Sequence, residues 1–183
     1  MRQLKHFEKK LIKKVDLFAW KSDNNLREGA IVKRYYLKSI EEYKNYSKIV
    51  GNVTKFVAKL KELDSTDELR DELSRLLLEK LYNMGVINET KSLLGLETLS
   101  VTSFCKRRLP VVMVRLKMAE TMKEAVTFVE QGHIRVGPNV VTDPSYLVTR
   151  MFEDYVTWVD GSKIKRAIKK YNDQLDDFDL LQN

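Results

Sequence analysis

The segment from Thr121 to Gly132, TMKEAVTFVEQG, leaves the chain little freedom. Thr121 and Glu124 have the spacing of a capping box, in which the threonine side chain accepts from the backbone three residues on and the glutamate reciprocates. Met122, Ala125, Val126, Phe128 and Val129 then fall on one helical face, and Gly132 supplies the stop. Immediately beyond, His133, Ile134, Arg135 and Val136 alternate polar and apolar, so the helical period gives way to that of a strand. Gly137-Pro138-Asn139 turns the chain, Val140 and Val141 resume it, and YLV and YVTWV predict further short strands. On the amino-terminal side, Thr102 or Ser103 is placed to cap a short turn ending at Lys106, Arg107 and Arg108. Pro110 sits where the first turn of a helix tolerates it, and VVMVRLKM continues that helix.

Helical patterns flank this unit. Leu4, Phe7, Leu11, Val15 and Phe18 recur at spacings of three and four, predicting an apolar stripe on a basic helix: residues 1–21 hold seven Lys or Arg against two acidic residues. Such a helix needs a partner, whether its own domain, a scaffold protein or RNA. Residues 22–50 are mixed, with breakers at SDNN and REG; Tyr35, Tyr36, Tyr43 and Tyr46 at these spacings favour core packing over base stacking. From Ser65 to Gly85 a helix is predicted, with Ser65 and Glu68 as capping box and Leu69, Leu73, Leu76, Leu77 and Leu81 as its stripe. SKIKRAIKKYNDQL, from Ser162, predicts a last basic helix with Ile164, Ile168, Tyr171 and Leu175 on one side. An acidic tail carrying Asp173, Asp176, Asp177 and Asp179 follows.

Composition narrows the chemistry. Over 183 residues, 33 Lys and Arg stand against 26 Asp and Glu, a formal charge of +7 that points to a polyanionic partner. The one cysteine, Cys105, gives neither a disulfide framework nor zinc-ligand spacing and suits a reducing compartment, cytosol or nucleus. The apolar run LPVVMV is far short of the ~20 residues a membrane helix needs, and the charged start MRQLKHFEKK is unlike a secretory signal. No phosphate-loop, dinucleotide, zinc-protease or serine-elbow motif is present, and His6 and His133 are too few for a metal site. A non-enzymatic protein without metal or cofactor is expected.

What the chain does offer is cations gathered on the helix-helix-strand unit. Between residues 106 and 135, Lys106, Arg107, Arg108, Arg115, Lys117, Lys123 and Arg135 outnumber Glu120, Glu124 and Glu130. If Ile134 and Val136 face a core, His133 and Arg135 point outward together. Arginine forks pair with phosphate oxygens, lysines supply point charges, and a histidine can donate or stack. The residues themselves support RNA binding; a merely solvated basic face is the alternative.

The block RRLPVVMVRLKMAETMKEAVTFVEQGHIRVGPNVVTDPSYLV resembles the RNA-binding domain typified by ribosomal protein S-four, the αL motif, over about residues 107–160. LLLEKLYNMGVI and VTSFCKRRLP resemble that protein's eukaryotic and archaeal branch. RQLKHFEKKLIKKVDLFAW and EDYVTWVDGSKIKRAIKKYNDQLDDFD are more similar to the S-four-domain subunits of the U3 small nucleolar ribonucleoprotein. The resemblance implies binding of U3 small nucleolar RNA and precursor ribosomal RNA and promotion of their pairing during small-subunit assembly. It further implies a nucleolar location, a large phosphoprotein scaffold and other processome proteins as partners. Carried onto this chain, the RNA-facing positions are Arg107, Arg108, Arg115, Lys117, Lys123, His133 and Arg135, with Asn139 in the turn.

Two departures stand out. Many members have glycine at the position of Lys117, and lysine in a left-handed turn costs about 1 kcal/mol relative to glycine. Many also have Val-Asn-Gly where this chain has Val136-Gly137-Pro138, so the hairpin turn is open to a different shape. The expected architecture is a mainly helical α+β protein, two helices packed on a short-stranded sheet, with helical extensions at both ends. Its expected parts are a basic extension (1–64), a helical segment (65–106), the RNA-binding domain (107–160) and a basic helix with acidic tail (161–183). A small-subunit ribosomal protein is the alternative within the class; a protein-interaction adaptor and an appendage of an RNA-modifying enzyme lie outside it.

Overall fold

A computed structural model describes residues 2–14, 25–64 and 66–174. Its helices are α1 (His6–Lys14), α2 (Asn25–Arg34), α3 (Ile40–Glu62), α4 (Glu68–Asn83), α5 (Leu94–Glu97), α6 (Val101–Cys105), α7 (Leu109–Arg115), α8 (Met122–Glu130) and α9 (Lys163–Tyr171). Strands β1 (Ile134–Val136), β2 (Asn139–Val140) and β3 (Val156–Trp158) form an antiparallel sheet in the order β2-β1-β3. The expected α+β, mainly helical class is observed.

Two apolar cores organise these elements. The first is built on α3, which the mixed composition of residues 22–50 does not announce. Ser39 caps it, accepting from Glu42 N, and Tyr46, Val50, Val53, Val57 and Leu60 turn one face inward. Leu78 and Leu81 of α4, Leu96 of α5 and Val101 and Phe104 of α6 close over that face, with the Tyr46 and Phe104 rings stacked at 6.1 Å. This core takes residues from both sides of position 65. Tyr35 and Tyr46 are buried in it and Tyr43 is half-buried, the core role the spacings favour, whereas Tyr36 is exposed.

The second core lies between α7, α8 and the sheet: Leu109, Val112, Met113, Ala125, Val129, Ile134, Val136, Val148 and Val156. Helix α7 stops at Arg115, short of the run to Met118 expected from VVMVRLKM, whereas α8 and β1 match their expected signals. Thr121 and Glu124 form the capping box, Gly132 closes α8 at φ +73°, and β1 buries Ile134 and Val136 while turning Arg135 outward. Gly137, at φ +60°, and Pro138 form a two-residue hairpin loop between the paired Val136 and Asn139. Positive φ at the first loop position and a ring-fixed negative φ at the second match the twist of the flanking strands.

Four local expectations are corrected. The observed cap of α4 is Asp67, whose carboxylate accepts from Leu69 N at 3.1 Å; Ser65 lies outside the described residues. The buried side of α4 is Leu78 and Leu81 with Leu77 half-buried, whereas Leu69, Leu73 and Leu76 are exposed, because the first turns of α4 extend past the core. Helix α6 begins after Ser100 without a side-chain cap, not at Thr102 or Ser103. The YLV segment, Tyr146 to Val148, makes one bridge, Arg108 with Leu147, and joins no sheet. Of the two end stripes, Leu4 ahead of α1, Phe7 and Leu11 on α1 and Ile168 and Tyr171 on α9 are exposed; Val15, Phe18, Leu175 and the tail from Asp176 lie outside the described residues. Among the described residues, no helix is long and apolar enough to cross a membrane.

Candidate RNA interface

The two arginines that open the RNA-binding block turn inward. Arg107 is 5% and Arg108 1% exposed. Arg107 donates from Nε and Nη2 to Val148 O at 3.0 and 2.7 Å, while its own carbonyl accepts from Val148 N at 2.8 Å. Val148 is buried just past the single bridge of Leu147 with Arg108, and its carbonyl is satisfied by this side-chain donor. The remaining arm of Arg107 pairs with Glu153 at 2.8 Å. Arg108 reaches from the start of α7 to Glu42 on α3 and so ties the second core to the first; its Nε and Nη2 have no partner among the described residues. A buried pair of this kind is costly to form and more costly to break. Of the positions expected to face RNA, Arg107 and Arg108 are therefore buried, with protein partners at the junction between the cores.

Gly85 explains how Arg107 fits. It follows α4 at φ +71°, and a Cβ there would lie 2.7 Å from both Cζ and Nε of Arg107. Arg150 reinforces the same junction, donating to Ile87 O at 3.0 Å with its guanidinium 4.1 Å from the Tyr82 ring centroid.

The exposed cations lie at the α7–α8 corner. Arg115 ends α7, Lys117 follows in the turn and Lys123 stands in the first turn of α8, all three exposed. Lys117 adopts φ +59°, the left-handed conformation expected to carry a cost. Its N–H donates to Val114 O, and Met118 N donates to Met113 O at 2.9 Å, closing the helix with the bond pattern usually built on glycine. Arg115 pairs with the second oxygen of Glu153, which thus bridges a buried and an exposed guanidinium. Burial raises the Glu153 carboxyl pKa, but the bond from Arg107 and the charges of Arg115 and Arg107 outweigh it and hold the pKa below its ordinary value.

On the sheet, Arg135 points outward as alternation requires, yet it is occupied. Its Nε donates to Thr157 Oγ1 at 3.0 Å and its Nη1 to Asp160 at 2.8 Å, and Lys165 of α9 shares that carboxylate. His133 is half-buried, with Nδ1 3.0 Å from the hydroxyl of Ser162, which caps α9. Asn139 is exposed where β2 begins. The anticipated residues thus separate into an open corner (Arg115, Lys117, Lys123), a strand edge linked to α9 (His133, Arg135, with Asn139 at the turn) and a buried latch (Arg107, Arg108). Arg150 and Glu153 stand outside the set expected from the sequence: Arg150 lies in no periodic or motif-bearing stretch, and nothing in EDYVTWV marks Glu153 as a partner of two arginines.

Residues 107–153 match the S4 domain family and residues 3–105 the ribosomal protein S4/S9 N-terminal domain family, so both parts of an S4-type protein are present in order. Across 181 residues, 98% of this chain, the sequence is 50% identical to the U3 small nucleolar ribonucleoprotein protein IMP3 of Saccharomyces cerevisiae, of which 99% is covered. It is 47% identical to the protein of the same name from Homo sapiens, 98% of each chain being covered. The small ribosomal subunit protein uS4 of Picrophilus torridus is 30% identical over 78% of this chain and 79% of its own. The chain belongs to the family of the U3 small nucleolar ribonucleoprotein proteins IMP3.

Proposed function

We propose that this chain is a non-enzymatic RNA-binding component of the U3 small nucleolar ribonucleoprotein, acting in the small-subunit processome of the nucleolus. There it promotes pairing of U3 RNA with precursor ribosomal RNA. The observation that carries the reading is the near-complete alignment, at 47–50% identity, with proteins named as part of that particle. The open corner supplies the chemistry: Arg115, Lys117 and Lys123 neutralise backbone phosphates, lowering the repulsion between two strands that must come together. His133, Arg135 and Asn139 extend the contact along the hairpin edge, with Arg135 exchanging Asp160 for phosphate. Charges on α1 and α9 contribute further attraction, and the exposed apolar stripes of these helices suit a scaffold protein.

Crosslinking in cells followed by sequencing of the bound RNA tests the proposal. U3 RNA and precursor spacer are expected among the recovered sequences. Recovery of mature small-subunit ribosomal RNA alone would assign the chain the role of a ribosomal protein, the reading favoured by its 30% identity to uS4.

A further inference from the structure

A cleft of about 480 Å³ opens at the junction of the two cores, lined in part by Asn88, Ser103, Lys106, Arg115, Arg150 and Glu153. Arg107 also lines it, so four cations stand against one carboxylate and a net charge of three positives is left within a single concavity. Low-dielectric walls focus such a field, and the natural occupant is an anion. The lining carries donors of several kinds, the Arg115 fork, the Lys106 ammonium, the Ser103 hydroxyl and the Asn88 amide, a set suited to a tetrahedral group with oxygens in several directions. Among the described residues Lys106 forms no ion pair. Glu153 already holds one oxygen against Arg115 and the other against Arg107.

We propose that this cleft binds a backbone phosphate of RNA, Arg115 exchanging its internal partner Glu153 for the incoming phosphate while Lys106 joins from the α6 side. The proposal rests on the RNA-binding reading and extends the interface from the α7–α8 corner onto the amino-terminal core. Neighbouring aromatics favour RNA over a phosphorylated peptide. Phe152 and Tyr155, on either side of Glu153 in sequence, are 45% and 61% exposed and pack edge to face at 6.4 Å, an exposed aromatic pair on which a base beside that phosphate can stack. Glu153 acts as a placeholder that keeps Arg115 extended when no RNA is bound.

The test measures binding of transcribed U3 RNA to the full chain across a salt series, for wild type, Lys106→Gln, Glu153→Gln and Lys123→Gln. One phosphate contact contributes roughly 0.7 to the log–log salt slope, or about fivefold in affinity at ~0.1 M salt. Lys106→Gln is expected to weaken binding about fivefold and flatten the slope by ~0.7. Glu153→Gln removes the competing charge and is expected to tighten binding severalfold. Wild-type behaviour of both, with Lys123→Gln weakened, overturns the cleft and leaves the corner standing. Wild-type behaviour of all three overturns the RNA-binding reading as well. If Glu153→Gln tightens a phosphoserine peptide but not U3 RNA, RNA is overturned as the occupant.

Discussion

Replacing Gly85 with alanine should destabilise the protein through a residue 22 positions away in sequence. The glycine has φ +71°, so any side chain there incurs about 1 kcal/mol of backbone strain. The added methyl would also stand 2.7 Å from two atoms of the Arg107 guanidinium, and moving the guanidinium away breaks its bonds to Val148 O. Losing bonds from a charged donor to a buried carbonyl costs about 2 to 3 kcal/mol. The sum is about 3 to 4 kcal/mol, or roughly 10 °C in Tm for a chain of this size. A double-mutant cycle isolates the cause. In an Arg107→Ala background Gly85→Ala should cost only the strain, about 1 kcal/mol, by urea denaturation and thermal melting. An equal cost in both backgrounds would refute the contact between Gly85 and the latch.

Lys117→Gly should move stability and binding in opposite directions, raising stability by about 1 kcal/mol through relief of the left-handed strain while weakening RNA binding; loss of both would show that the turn needs the lysine for folding. Glu153 is depressed in the folded chain, which therefore binds fewer protons than the unfolded one in this range. Its contribution to stability should be intact above the ordinary value of 4.5 and lost as pH falls through the lower native value, a dependence that Glu153→Gln should reduce in acid melts. Burial pushes the Cys105 thiol up to about 11, so alkylation at neutral pH should be negligible in the folded protein and appear across the denaturant transition. Rapid labelling of the native chain would contradict the burial of α6.

Legibility in the sequence followed the locality of the signal. Helix α8 and strand β1 were readable because cap, stripe, stop and alternation all lie within sixteen residues, Thr121 to Val136, and agree with one another. The left-handed position of Lys117 is legible only through the family resemblance, because the apolar run VVMVRLKM by itself carries the helix past Arg115, where α7 ends. Helix α3 was not: Gly51, Asn52, Val53 and Thr54 are poor helix formers in mid-helix, and the burial of Val57 and Leu60 against α4 to α6 overrides them. The RNA-facing set was legible as a list of cations but not as a surface. Whether an arginine points outward depends on distant partners, Val148 and Glu153 for Arg107 and Glu42 for Arg108, and no spacing within the Lys106 to Arg108 run encodes them. The leucine stripe of α4 misled because its period is right while the core covers only the carboxyl-terminal turns.

The central claim is that the open corner, and not the buried pair, makes the electrostatic contact with RNA. It is tested most directly by the salt dependence of U3 RNA binding for the triple variant Arg115→Gln, Lys117→Gln, Lys123→Gln beside wild type. Three lost contacts should flatten the log–log slope by about 2 and lower affinity on the order of a hundredfold at ~0.1 M salt, with the melting transition still cooperative. An unchanged slope and affinity in the folded triple variant would contradict the account.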